Sequence, residues 1–112
     1  MIGAEAERWA ARYLQEHGLK PIAHNYRSRF GEIDLVMQDG PTLVFIEVRL
    51  RRSQVYGGAA ASIDSRKQKR IIRAAQQYIA GINHIPPCRF DVVLMDDVQG
   101  QNVRWIKNAF DA

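Results

Sequence analysis

Two apolar runs, at residues 31–38 and 43–50, are separated by only four residues, and this arrangement constrains the fold more than any other feature. The connecting residues, 39–42, include Gly40 and Pro41, which are typical of tight turns. Apolar side chains alternate along both runs, as they do in strands with one buried face. The sequence therefore predicts a β-hairpin. Its buried face is formed by Ile33, Leu35, Met37, Val44, Ile46, Val48 and Leu50.

The length of the turn predicts which residues of the hairpin face each other. If the two residues that flank the loop pair, then Asp34 faces Glu47 and Glu32 faces Arg49. Directly opposed side chains have Cβ atoms about 4.5–5.5 Å apart, so two carboxylates there repel each other unless one is protonated or a cation lies between them. Magnesium takes oxygen ligands and commonly uses one or two carboxylates. We therefore expect Asp34 and Glu47 to bind Mg²⁺ or Mn²⁺.

The same carboxylates have a plainer interpretation. Asp34 and Glu47 could be solvated, or neutralised by a neighbouring arginine. Each of them nevertheless interrupts an apolar strand, which favours the metal site. For Glu32, a cross-strand ion pair with Arg49 is an alternative to a catalytic role.

Basic residues are concentrated in one part of the chain, which has a net charge of +4. Half of the 16 lysines and arginines lie between Arg49 and Arg73, where Asp64 is the only acid. Such a basic cluster beside an acidic one suits a polyanion, here nucleic acid. The alternative is a solvated helix surface. The predicted nucleic-acid-binding residues are Arg51, Arg52, Arg66, Lys67, Lys69, Arg70 and Arg73.

Helical spacing of apolar residues predicts two helices, at residues 4–17 and 63–80. The first would bury one stripe made of Ala6, Trp9, Ala10, Tyr13 and Leu14, and Ser62 or Asp64 would cap the second. Further strands are predicted at 20–26 and 90–95, with a last one at 103–106. The order α-β-β-β-α-β(-β) predicts a single α/β domain over residues 1–112, with a mixed sheet flanked by helices.

The composition also favours the cytoplasm. Cys88 is the only cysteine, so an internal disulfide is excluded. We find no signal-peptide pattern at the start and no apolar run long enough to span a bilayer. We therefore expect no membrane partner.

Five segments resemble the YraN-like family of uncharacterised bacterial proteins. They are residues 6–14 (AERWAARYL), 31–36 (GEIDLV), 43–51 (LVFIEVRLR), 67–75 (KQKRIIRAA) and 89–93 (RFDVV). That family is similar to the restriction-endonuclease-like, or PD-(D/E)XK nuclease, superfamily and to archaeal Holliday junction resolvases. The resemblance implies a restriction-endonuclease-like core.

The resemblance also implies a catalytic set. It consists of an acid in the first helix, here Glu7, a first strand acid, Asp34, and a second, Glu47. Superfamily members usually carry a lysine two residues after the second acid, where this chain has Arg49. Arginine stays protonated and is a poor base, although it can clamp a phosphate. Lys67, on the following helix, is an alternative source of an ammonium group.

From the resemblance we expect a metal-dependent endonuclease that acts on DNA, including branched or distorted DNA, and a homodimer by analogy with the resolvases. Without the resemblance, Glu7 would be read as a surface glutamate near a helix N-terminus. Two other functions remain open. One is a nucleic-acid-binding module whose site has lost turnover through Arg49, and the other is a protein-interaction domain.

Overall fold

The computed structural model describes residues 4–50, 63–96 and 102–112, which form a mixed sheet and two helices. The predicted α/β class and element order are confirmed. The elements are α1 (Ala4–Glu16), β1 (Lys20–Arg27), β2 (Glu32–Asp39), β3 (Thr42–Leu50), α2 (Ser65–Ala80), β4 (Cys88–Met95) and β5 (Arg104–Phe110).

The five strands lie in one sheet in the order β1-β2-β3-β4-β5. Strands β1 to β3 are antiparallel neighbours, β3 and β4 are parallel, and β5 returns antiparallel to β4. A parallel neighbour requires a long connection, and α2 lies within that connection. The predicted crossover helix is therefore confirmed.

Each face of the sheet is covered by one helix. On the first face, Ala6, Ala10 and Leu14 of α1 join a cluster with apolar side chains of β2, β3 and β4. On the second face, Ile71, Ala74 and Ala75 of α2 join a cluster around Phe45 and Phe90. Both faces of β3 are thus buried from Leu43 to Val48, so Glu47 is held in a largely apolar setting.

The predicted hairpin register is confirmed at the turn, where Gln38 pairs with Leu43. The predicted apolar face is wrong for Ile33, which lies in the cluster on the α2 face with Tyr26. Asn25 has a φ of 51° and interrupts the extended backbone of β1 beside this pair. The regular alternation of β2 breaks at the same level, between Ile33 and Leu35.

Helix α1 is rotated relative to the prediction. Its buried residues are Ala6, Glu7, Ala10 and Leu14, whereas Trp9 is 39% exposed. The buried stripe is therefore shifted around the helix, away from Trp9 and towards Glu7. The prediction that Trp9 is a core residue was wrong, because the helix turns an acid towards the sheet instead.

Helix α2 begins two residues later than predicted, since Asp64 is its N-cap and accepts a 2.8 Å hydrogen bond from the Lys67 backbone N–H. The last strand is longer than predicted and continues to Phe110. Asn108, with a φ of 53°, makes an irregularity within it that apolar alternation does not reveal. None of the helices in the described part of the chain is long and apolar enough to cross a membrane.

Candidate active site

A cavity of about 610 Å³ opens where α1 and α2 approach the same end of β2 and β3. It brings together the four residues of the predicted catalytic set and Lys67. Acidic and basic side chains both line it. The acids are Glu7, Glu32, Asp34 and Glu47, and the bases are Arg27, Arg49 and Lys67.

We call this the acidic cavity, and Asp34 and Glu47 are the two neighbouring acids in its lining. Backbone pairing of β2 and β3 is regular from Asp39–Thr42 to Leu35–Ile46. Beyond that point Asp34 uses a side-chain oxygen, Oδ2, to accept a 2.8 Å hydrogen bond from the Val48 backbone N–H. The side chains of Asp34 and Glu47 also lie close enough for each to change the pKa of the other. The predicted meeting of the two carboxyl groups is therefore observed.

Glu47 is 6% exposed and has two basic neighbours. Its Oε2 lies 3.5 Å from Lys67 Nζ and 3.6 Å from Arg49 Nη1. Burial and the charge of Asp34 together raise the pKa of Glu47 from 4.5 to about 7, although the two cations oppose the change. The two cations therefore do not fully offset the effects of burial and of Asp34 on this pKa.

The pKa of Asp34 is also raised, chiefly because the carboxyl group is buried. The hydrogen bond from Val48 and the charge of Lys67 act in the opposite direction. Two buried carboxyl groups this close favour the protonated form of one of them, and a bound cation would favour the ionised form of both.

Glu7 reaches the acidic cavity from α1 and is 8% exposed. Burial first, and then the charge of Asp34, raise the pKa of Glu7 to about 7. The neighbouring Asn25 side chain partly offsets this, because it favours the charged form of the carboxyl group. Sequence reasoning missed Asn25, whose one signal is that asparagine tolerates positive φ better than most residues.

The expected pairing of Glu32 with Arg49 is wrong. Glu32 pairs with Arg27 of β1, with 3.9 Å between the charged atoms, while Arg49 lies beside Glu47 on its own strand. The strands stop pairing at Leu35, so the predicted register does not continue to Glu32. Glu32 is half-exposed in this pair and does not join the two central carboxyl groups.

Two of the acids fit a divalent cation by the chemistry of their donors. Asp34 and Glu47 both line the acidic cavity, so their carboxyl oxygens are available to a bound ion. Within residues 4–50, 63–96 and 102–112, no group of three His, Cys, Asp or Glu side chains has the geometry of a metal site. A pair of carboxylates matches Mg²⁺ or Mn²⁺, which leave further positions to water and phosphate oxygens.

The predicted nucleic-acid-binding residues lie mostly along α2. Lys67 is half-buried at the acidic cavity, and the remaining basic residues of the helix are exposed. Arg51 and Arg52 lie outside the described residues. The exposed residues on α2 are Arg66, Lys69, Arg70 and Arg73.

Comparison with known proteins gives one consistent family. The family model described as "Uncharacterised protein family UPF0102" matches residues 6–95. A UPF0102 protein of Nitrosospira multiformis is 49% identical over 97% of this chain and 92% of its own length. One from Nitrosomonas europaea is 51% identical over the same shares.

A third relative, the UPF0102 protein of Janthinobacterium sp., is 50% identical over the whole of this chain and 89% of its own length. These relatives confirm the resemblance found in the sequence. The chain belongs to the UPF0102, or YraN-like, family, within the restriction-endonuclease-like superfamily.

Proposed function

We propose that this protein is a cytoplasmic, metal-dependent endonuclease that hydrolyses phosphodiester bonds in DNA. The observation that carries the proposal is the contact between the buried carboxyl groups of Asp34 and Glu47, which lies beside Lys67 and Arg49. Burying two carboxyl groups side by side is costly, and a divalent cation bound between them would lower that cost.

Asp34 and Glu47 would hold Mg²⁺ or Mn²⁺. When bound, such an ion polarises a phosphate oxygen and makes water more acidic. The rest of the chemistry belongs to side chains. Water adds to phosphorus, the bond from phosphorus to the leaving oxygen breaks, and that oxygen takes up a proton.

Glu7 is suited to accept the proton that water loses. A general base works best when its pKa lies near the operating pH, and that of Glu7 is about 7. Asn25 lines the same cavity and favours the charged form of Glu7, which is the form that accepts a proton.

Lys67 would replace the catalytic lysine that superfamily members usually carry two residues after the second acid, where this chain has Arg49. Its ammonium lies 3.5 Å from Glu47, as close as the guanidinium of Arg49. Lys67 stands in the first turn of α2, where the helix dipole disfavours a cation, and the contact with Glu47 offsets this. Lys67 and Arg49 would stabilise the charge that develops on the phosphoryl oxygens.

A direct test is cleavage of labelled linear, flap and four-way DNA by purified protein with Mg²⁺ or Mn²⁺. The native protein should cut at least one of these substrates, and Asp34→Asn should lower the rate by about a hundredfold or more. Asp111→Asn, which removes an exposed carboxylate near the end of the chain, is the matched control and should leave the rate unchanged. Absence of cleavage by well-folded native protein would refute the proposal.

The second candidate is a nucleic-acid-binding module without turnover. The ion pair of Arg49 with Glu47 favours it, because a guanidinium beside the second acid can compete with a metal ion for the same oxygens. This candidate predicts salt-sensitive DNA binding that requires the basic residues of α2 but no cleavage with any divalent metal.

A further inference from the structure

A second cavity, of about 340 Å³, lies between α2 and the turn that joins β1 to β2. Arg29, Phe30 and Arg70 line it. Arg70 is one of the predicted nucleic-acid-binding residues, whereas Arg29 and Phe30 are not. It shares Lys67 and the Arg27–Glu32 pair with the acidic cavity. A chain-like ligand could therefore occupy both cavities at once.

The turn is an ordered structure. The Ser28 backbone N–H donates to the Gly31 carbonyl at 2.9 Å, and the Ser28 hydroxyl oxygen accepts from the Phe30 backbone N–H at 3.1 Å. A Cβ atom on Gly31 would lie 3.2 Å from the Arg70 Cβ, so glycine permits this close approach to α2. The distance between the turn and the helix is thus fixed by packing.

The Phe30 ring contacts two arginines, Arg29 in the lining of this cavity and Arg73 on α2. The guanidinium carbon of Arg29 lies 5.1 Å from the centre of the Phe30 ring, and that of Arg73 lies 5.9 Å from it. A guanidinium placed against a ring face keeps N–H groups directed outward, in the fork that matches a phosphate. Both arginines are therefore oriented before a ligand arrives.

The charge of this surface is mostly uncompensated. Among the residues the structure describes, Arg29, Arg70 and Arg73 make no ion pair. Glu32, the acid in the lining of this cavity, forms an ion pair with Arg27 at 3.9 Å. Three unpaired guanidinium groups in so small an area attract an anion with more than one charge.

We propose that this turn and α2 form a phosphate subsite that holds the DNA strand adjacent to the bond cleaved in the acidic cavity. The subsite rests on the proposed function, because its occupant is the continuing backbone of the same substrate. A strand that bridges both cavities must extend beyond the cleaved bond. The substrate is therefore a polynucleotide, and a mononucleotide diester would leave the subsite empty.

The test is fluorescence anisotropy of a labelled duplex DNA in EDTA, which measures binding without turnover. Arg29→Ala should weaken binding about tenfold and lower the slope of log affinity against log salt by about 1, as loss of one phosphate contact does. Arg70→Ala should act in the same direction. Arg29→Lys keeps the charge and should restore most of the salt slope.

Arg12→Ala is the matched control. Arg12 is an exposed arginine of α1 that lies over Trp9 at 5.8 Å, so its removal costs the same charge and the same kind of ring contact, on the other face of the sheet. If Arg29→Ala and Arg12→Ala bind equally well, the subsite is refuted while cleavage by the native protein still supports the proposed function. If native protein neither binds nor cleaves DNA, both proposals fail.

Discussion

Asp34 accepts a hydrogen bond from the backbone N–H of Val48 at 2.8 Å, at the point where β2 and β3 stop pairing. A side chain thus replaces a backbone acceptor at the end of the ladder, and it fixes the Asp34 carboxyl group next to Glu47. Repulsion between the two acids cannot be relieved by rotation of Asp34 without loss of this bond. Lys67 and Arg49 relieve part of this repulsion, and a proton or a divalent cation would relieve more of it.

The first prediction concerns stability and pH in metal-free protein. A carboxyl group with a raised pKa binds its proton more tightly when folded, so folding is favoured at low pH and this contribution is lost as pH rises. For Glu47 the loss should occur between pH 4.5 and about 7. Urea denaturation in EDTA should show the free energy of unfolding falling over this range.

Glu47→Gln isolates this contribution, because the variant has no carboxyl group at position 47 to titrate. The fall in the free energy of unfolding should be smaller than in native protein by about 1–3 kcal/mol. Glu16→Gln, at the exposed end of α1, should reproduce the native curve. Identical pH profiles for native protein and Glu47→Gln would show that Glu47 does not have a raised pKa.

The second prediction assigns Lys67 the larger role of the two cations. Lys67→Met should lower kcat for DNA cleavage by about a hundredfold, because one charged donor to the transition state is lost. Arg49→Lys should stay within about threefold of native, since an ammonium on this strand also suits the superfamily pattern. Single-turnover kinetics would measure both, and equal loss in the two variants would contradict this assignment.

The third prediction concerns Glu7 as proton acceptor. Glu7→Gln should reduce kcat by about a hundredfold with little change in DNA affinity, because it removes a base and keeps the shape of the side chain. The native rate should rise with pH towards about 7, where Glu7 loses its proton, and this limb should be absent from any residual rate of the variant. An unchanged pH profile would exclude Glu7 as the base.

The fourth prediction concerns stability away from the acidic cavity. Asp91 is 1% exposed and accepts hydrogen bonds from Arg89, from the Trp105 indole at 2.9 Å and from the Asn108 backbone N–H at 2.9 Å. Asp91→Asn should destabilise the fold by about 2 kcal/mol, because the buried carboxylate that accepts these bonds loses its charge and Arg89 keeps only Asp39 as an ion-pair partner. Urea denaturation would measure this, with Asp111→Asn expected to stay close to native.

Much of the fold could be predicted because local patterns and packing agree. The turn at residues 39–42 sets the register, and that register brings Asp34 towards Glu47. The predicted contact between these acids therefore needed only alternation and a loop length. The family resemblance added Glu7, whose place on a helix surface is otherwise unremarkable.

The remaining features depend on three-dimensional packing that no local pattern encodes. The left-handed residue Asn25 breaks the alternation of β1 and β2, so Ile33 lies on the face opposite to the one predicted. The rotation of α1 that buries Glu7 and exposes Trp9 is decided by the sheet beneath it. Lys67 is far from Glu47 in sequence, and only the crossover brings them together.

The most direct test of the account is calorimetric titration of the native protein with Mn²⁺ at neutral pH, compared with Glu47→Gln and Asp34→Asn. We predict one Mn²⁺ site per chain in the native protein, loss of measurable binding in both variants, and unchanged binding in Glu16→Gln. Native protein that takes up no Mn²⁺, or variants that bind it as well as native protein, would contradict the claim that these two buried acids form a metal site.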